Sequence, residues 1–271
     1  MLGIEATCTA ILVVYLLASG TDRPTLERAA GIMAGAWLAE DSCIRAYGFY
    51  QYTPGWHLWL DRVPLMIVLI WPAVVMSARR IATAALGTCG AEATPLAALT
   101  GAIVTFDAAL IEPIAVHANL WSWNEPGIFG VPPIGILGWG FYAAVVTWLD
   151  ARPAPVVTRR LLAPMAALLT HAALLLSWWG ALRWVARGTL SPALAMLFIG
   201  VVSVGATVGV VRTHARLAAG DLFARGVATL FFGALLARGW DGSLALYASA
   251  FTLPHLVLCG TSAPRKSTPE P

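Results

Sequence analysis

Two acidic residues, Asp107 and Glu112, stand in an apolar run that breaks at Pro113. The chain then crosses a short loop bearing Trp121 and Trp123 and re-enters an apolar segment through Gly130, Val131 and Pro132 towards Trp139. A carboxylate in hydrocarbon costs about 3 kcal/mol or more unless it is paired, neutral or facing a cavity, so such a residue marks a functional site by default. Glu40 and Asp41 end an earlier apolar segment in the same manner. All four carboxylates are expected towards one membrane face, where convergence would build a common pocket. Packed together in a medium of low dielectric they cannot all ionise, and one should keep its proton. A carboxylic acid held protonated in an apolar pocket is a general acid. The competing reading pairs each carboxylate with a nearby arginine, such as Arg45 or Arg62, or lets it reach the interface.

Trp37, Trp71, Trp121, Trp123 and Trp139 are placed to line the same pocket, with Tyr50 and Tyr52 from the earlier loop. An indole face stabilises a cation by roughly 0.5–2 kcal/mol, which suits chemistry that passes through a carbocation. The alternative for any one tryptophan is an anchor in the interfacial belt. His57, His117, His171, His214 and His255 form no cluster of the spacing that a zinc or di-iron site needs, so no metal site is expected. His117, just beyond Glu112, is a candidate proton relay. Cys8, Cys43, Cys89 and Cys259 show no paired spacing and read as buried apolar fillers. The sequence contains no phosphate-cradling glycine loop, nucleophile elbow or aspartate-rich diphosphate motif, so ATP hydrolysis, serine hydrolysis and prenyl transfer lack their usual parts.

The elements that must carry these residues follow from composition. The 271 residues are 59% hydrophobic and 11% charged, against roughly 25% charged for a soluble domain. Apolar runs recur near residues 4–20, 26–45, 63–78, 95–116, 128–149, 160–181, 190–211, 222–238 and 243–260, close to the length of about 17–25 residues that spans a bilayer as a helix. Backbone groups in lipid must bond within their own helix, so the expected fold is all-α and polytopic. Eight to nine transmembrane helices are predicted, the last two being joined only by residues 238–241 and open to a re-entrant reading. A single transmembrane domain, 1–262 with its core site at 37–142, would be followed by a short polar tail, 263–271.

All but five of the 17 basic residues fall in the loops after spans 1, 3, 5 and 7, counting Arg225 there, and in the C-terminal tail; the exceptions are Arg45, Arg62, Arg183, Arg187 and Arg238. Positive charge favours the cytoplasmic side, which predicts an outer N-terminus and a cytoplasmic C-terminus. The net charge of +3 is spread without a basic cluster, so nucleic acid is not an expected partner.

The loops after spans 2 and 4 resemble each other. Glu40 matches Glu112 at an offset of 72, Tyr50 and Tyr52 match Trp121 and Trp123 at 71, Pro54-Gly55 matches Pro126-Gly127 at 72, and Trp71 matches Trp139 at 68. Belts explain recurring aromatics but not matched buried glutamates. The pattern predicts a tandem repeat of two helix pairs with the same orientation.

The stretch carrying Asp107, Glu112-Pro113, Trp121-x-Trp123, Gly130-Val131-Pro132 and Gly138-Trp139, echoed more weakly from Tyr50-x-Tyr52 to Pro64, resembles the membrane carotenoid-biosynthesis proteins. That family includes the carotenoid 1,2-hydratases acting on γ-carotene or bisanhydrobacterioruberin. The resemblance covers residues 37–142. The chain departs from the family pattern at Gly135, where an Asn stands three residues before the Gly-Trp pair, and at Gly48-Phe49, where Phe-Gly precedes the Tyr-x-Tyr. The resemblance implies acid-catalysed hydration of the terminal C1=C2 double bond of a linear carotenoid in a bacterial or archaeal cell membrane, without cofactor. Asp107, Glu112, Glu40 and Asp41 are then the candidate catalytic set, with Glu112 or Asp107 as acid and the partner carboxylate or Glu40 as base. Its substrate is a membrane-dissolved carotenoid, and other carotenoid biosynthesis enzymes are candidate partners. A lycopene-cyclase-like ring closure begins with the same protonation and is the alternative enzyme. A non-catalytic carotenoid-binding or transport protein is the alternative from another class.

Overall fold

The computed structural model describes residues 1–87, 92–152, 161–185, 191–213 and 217–261. Helix α1 (Leu2–Ser19) precedes α2 (Arg23–Tyr47), and a loop bearing β1 (Tyr50–Tyr52), β2 (Trp59–Leu60) and β3 (Val63–Pro64) leads into α3 (Leu65–Leu86). The order then recurs as α4 (Ala93–His117), a loop with β4 (Trp121–Trp123), and α5 (Pro133–Asp150). Helix α6 (Leu162–Ser177) ends in a π-turn over Trp178–Leu182. It is followed by α7 (Pro192–Thr213), α8 (Ala219–Arg238), α9 (Gly242–Ser249) and α10 (Thr252–Thr261).

Among the described residues, seven stretches are long and apolar enough to cross a membrane: α1, α3, α4, α6 with its π-turn, α7, α8, and α9 with α10 together. The chain is an all-α integral membrane protein. Helix α2, 25 residues long, carries more charged groups, whereas α5 is an apolar helix of 18 residues. Helix α2 packs against α6 and α3, and α5 against α4 and α6. The polar tail and the basic residues Arg159, Arg160, Arg187, Arg216, Arg265 and Lys266, together with Cys89 and His214, lie outside the described residues. Arg225 lies inside α8, not in the loop before it, because that helix begins at Ala219.

Local chemistry sets the ends of α2. Asp22 Oδ1 accepts the Thr25 amide at 2.8 Å as an N-cap, and Gly48 stops the helix in the left-handed conformation, its amide bonded to the Ile44 carbonyl at 3.1 Å. The chain thus turns back within three residues and enters β1. Helices α4 and α5 touch backbone to backbone. A Cβ on Gly101 would lie 2.8 Å from the Gly140 carbonyl oxygen, and one on Gly140 would collide with Thr105 Oγ1. Small residues permit such an approach where lipid supplies no hydrophobic drive between helices. At the end of the bundle away from the strands, Arg28 and Arg79 both bond Asp150, Arg28 at 2.8 Å.

Pro113 inside apolar helix α4 removes an amide, and the carbonyl it frees finds a donor from another helix. Pro113 leaves the Ala109 carbonyl without its i+4 partner, and the fully buried Tyr247 hydroxyl donates to it at 2.8 Å. At the junction of α9 and α10, the Ala250 carbonyl accepts from Ser203 of α7 at 2.5 Å. Helix α4 therefore runs through Pro113 to His117 without a break.

Tyr247→Phe should lower stability by about 1–3 kcal/mol, the cost of an unsatisfied buried carbonyl. Thermal unfolding of the purified protein in detergent measures it. On a Pro113→Ala background, where an amide again reaches Ala109, the same change should cost clearly less; equal losses on both backgrounds would contradict this role for Tyr247.

Candidate functional site

Glu112 sits in the last turns of α4, 2% exposed. Beyond the helix end, Asn119 takes a positive φ of 55° and sends the chain back as β4. Alternate residues of a strand share a face, so Trp121 and Trp123 both aim at the helix they have just left. Their indole N–H groups donate to Glu112 Oε2 at 2.8 and 2.9 Å, and Trp139 of α5 donates to Oε1 at 2.8 Å.

The first helix pair repeats this arrangement with changed chemistry. Glu40 Oε1 accepts from Trp71 of α3 at 2.6 Å, and its Oε2 accepts from the hydroxyls of Tyr52 and, at 3.3 Å, Tyr50 of β1. Each glutamate is thus held by two aromatic residues of the strand that follows it and by one tryptophan of the next helix. The strands join the halves: β1 and β4 pair antiparallel with Tyr50 opposite Trp123, Gln51 opposite Ser122 and Tyr52 opposite Trp121. Under the sequence match Tyr50 corresponds to Trp121 and Tyr52 to Trp123. Each residue therefore faces the counterpart of its neighbour, as a two-fold axis through the Gln51 and Ser122 pair requires. Trp71 and Trp139 meet across that axis with ring centroids 4.9 Å apart. The pairing brings both loops to one end of the bundle, so α2 and α4 run in the same direction.

Between the halves is a cavity of about 80 Å³ bordered by Glu40, Glu112, Tyr50, Tyr52 and the indoles of Trp71, Trp121, Trp123 and Trp139. One water needs roughly 10–15 Å³ of such space, so several water-sized groups fit. Helix α6 closes the cavity with Thr170 and Leu174, and α5 contributes Ile134, Gly135 and Tyr142.

The expected convergence of four carboxylates is corrected to two. Asp41 turns away from Glu40 and accepts from Arg45 Nε at 2.7 Å and the Arg62 amide at 3.3 Å; its neighbour in sequence points to another face of α2. Asp107 lies five residues from Glu112, about 140° around a helix. It opens onto a different cavity, where Arg225 grips it at 2.9 and 3.1 Å. Trp37 is also outside the shared cavity and donates to the Leu60 carbonyl at 3.1 Å. His117 bonds the Gly239 carbonyl, tying α4 to the end of α8 and leaving no relay to Glu112. His57 binds Glu5 of α1, whose buried carboxylate also accepts the His57 amide at 2.7 Å.

Gly135 and Tyr142 were not legible as cavity residues from spacing alone. A Cβ on Gly135 would come within 2.5 Å of the Trp123 ring. The missing side chain at Gly135 is therefore what admits the Trp123 indole.

The two carboxylates differ in what their partners can exchange. An indole nitrogen only donates, so three indoles offer Glu112 no acceptor for a carboxyl proton, whereas a phenol both donates and accepts. Burial, reinforced by Glu40, keeps the Tyr50 and Tyr52 phenols well above their ordinary titration range, so both remain protonated donors.

The model of a family described as carotenoid biosynthesis protein matches residues 7–203. The chain belongs to the carotenoid biosynthesis protein family. The match takes in both glutamate clusters and ends within α7, before α8 to α10. No curated protein and no solved structure matches the chain. Family membership assigns the protein a general role in carotenoid biosynthesis. It also bears out the resemblance drawn from the Glu112 to Trp139 stretch.

Gly135→Ala should force the Trp123 ring off Gly135 and weaken its bond to Glu112. Overpacking of this kind costs about 1–3 kcal/mol, read as a lowered melting temperature of the purified protein. An unchanged melting temperature would mean that Trp123 is not seated against α5.

Proposed function

We propose that the protein is a carotenoid hydratase, adding water to the terminal C1=C2 double bond of a linear carotenoid end group. The observation that carries this reading is the pair of buried glutamates facing one small cavity walled by indoles and phenols. Two carboxylates so placed in an apolar site favour sharing one proton. The donor-only indoles around Glu112 suit a carboxylate, and the phenols around Glu40 suit a carboxylic acid that can pass its proton on.

In the proposed reaction Glu40 protonates C2, breaking the π bond and leaving a tertiary cation at C1. The Glu112 carboxylate and the faces of Trp71, Trp121, Trp123 and Trp139 stabilise that cation. Water forms the new C–O bond at C1 and returns a proton to Glu40, so the cycle closes with no redox change and no cofactor. The apolar remainder of the substrate lies in the bilayer and enters between helices. Family membership supports the substrate class; the hydroxylated outcome, as against ring closure through the same cation, rests on water reaching the cavity.

The test is expression in a lycopene-producing bacterial host, with chromatography and mass measurement of the pigments. The wild type should yield a more polar pigment heavier by one water. Glu40→Gln should lose product by about 10²- to 10⁴-fold, the usual worth of a general acid, while Asp41→Asn, outside the cavity, should keep it. An apolar isomer of unchanged mass would replace the hydratase with a cyclase. No new pigment from a folded wild-type protein would overturn an enzymatic role on this carotenoid.

A further inference from the structure

A second cavity, of about 660 Å³, lies on the opposite faces of α3 and α4 and shares no lining residue with the first. Its walls are apolar, among them Ile11, Ile70, Leu110, Phe232, Leu236 and Leu256. One polar cluster, Asp107, Arg225, Ser77 and His255, is set into them. Charges within a membrane-spanning bundle are expensive to keep, and here the pairing leaves hydrogen-bonding capacity unused. Arg225 spends three of its five N–H bonds, two on Asp107 and Nε on Ser77 Oγ at 3.0 Å. The remaining two have no partner among the described residues. His255 Nδ1 lies 2.9 Å from the Phe251 carbonyl, which only accepts, so this nitrogen carries the hydrogen. In its neutral form the ring presents Nε2 as an acceptor, 3.7 Å from Asp107 Oδ1 and so beyond hydrogen-bonding reach of it.

We infer that this cavity is a binding site for an extended apolar molecule ending in a single hydroxyl, distinct from the glutamate cavity. The hydroxyl donates to His255 Nε2 and accepts a free N–H of Arg225, while the chain lies along the apolar walls. A hydrocarbon leaves both polar groups unmet. A carboxylate meets Arg225 but repels Asp107 and offers His255 Nε2 no hydrogen. The inference stands on the cluster's donor and acceptor balance and does not depend on the reaction at Glu40 and Glu112, although a hydroxyl-ended chain is also what hydration there would release.

The test is equilibrium binding of tritium-labelled geranylgeraniol to the full-length protein in nanodiscs. Competitors are the unlabelled alcohol, the corresponding hydrocarbon and the corresponding carboxylic acid. The alcohol should compete about tenfold better than either, since one charge-assisted hydrogen bond is worth about that factor. His255→Phe keeps the ring and removes the acceptor; it should weaken alcohol binding by about fivefold or more and leave competition by the hydrocarbon unchanged. Gly233, which borders the cavity with open space where a Cβ would stand, supplies a second variant: Gly233→Trp fills the cavity and should abolish binding. Glu112→Gln should bind as the wild type does, which separates this site from the first. Equal competition by the hydrocarbon, preference for the acid, wild-type binding by folded His255→Phe and Gly233→Trp, or loss of binding in Glu112→Gln would each overturn the inference.

Discussion

A carboxylate buried inside a membrane protein must be given donors, and the way Glu112 receives three of them governs the architecture around it. Indole is suited to the task because it supplies one N–H from a body that is otherwise apolar, so the carboxyl group is solvated without bringing in further charge. Supplying those donors requires the chain to double back as β4 within a few residues of the end of α4. It also requires α5 to lie against α4 closely enough for Trp139 to reach, which Gly101 and Gly140 allow. The same requirement, met around Glu40 by two phenols and one indole, produces the second half of the repeat. Pairing β1 with β4 then satisfies the backbone of both returning loops and sets the two glutamates across one cavity.

Helices α3 and α4 each present polar chemistry on two faces. Trp71 and Glu112 look into the glutamate cavity, while Ser77 and Asp107 look away from it towards Arg225 of α8. The two faces differ electrically. Among the described residues the first is lined by two acidic groups and no cation, leaving a proton as the means of balancing charge; the second holds an acid already matched by a guanidinium at 2.9 Å. That difference, rather than burial, separates the carboxylates suited to proton transfer from those suited to structure or binding.

Much of this was legible in the sequence. Hydropathy located the helices, and the offsets of 72 and 68 between the glutamates and between the tryptophans exposed a repeat whose two-fold geometry β1 and β4 display. The order of residues could not say which way each carboxylate faced. Adjacent Glu40 and Asp41 differ by about 100° on a helix, and the five residues from Asp107 to Glu112 by about 140°, so proximity in sequence guaranteed separation in space. The partner of Asp107 was hidden for another reason: Arg225 is more than a hundred positions away, and the charge count places it with the loop before its helix. Gly135 shows what composition conceals, since its contribution is the absence of a side chain under the Trp123 ring.

The account turns on two buried glutamates sharing one proton that resides on Glu40. Infrared difference spectroscopy of the purified protein at neutral pH tests this directly, because a protonated carboxyl absorbs apart from carboxylates and amides. The wild type should show a carboxylic acid band that shifts in deuterium oxide, disappears in Glu40→Gln and persists in Glu112→Gln. A wild type without such a band, or one whose band is lost only in Glu112→Gln, would contradict it.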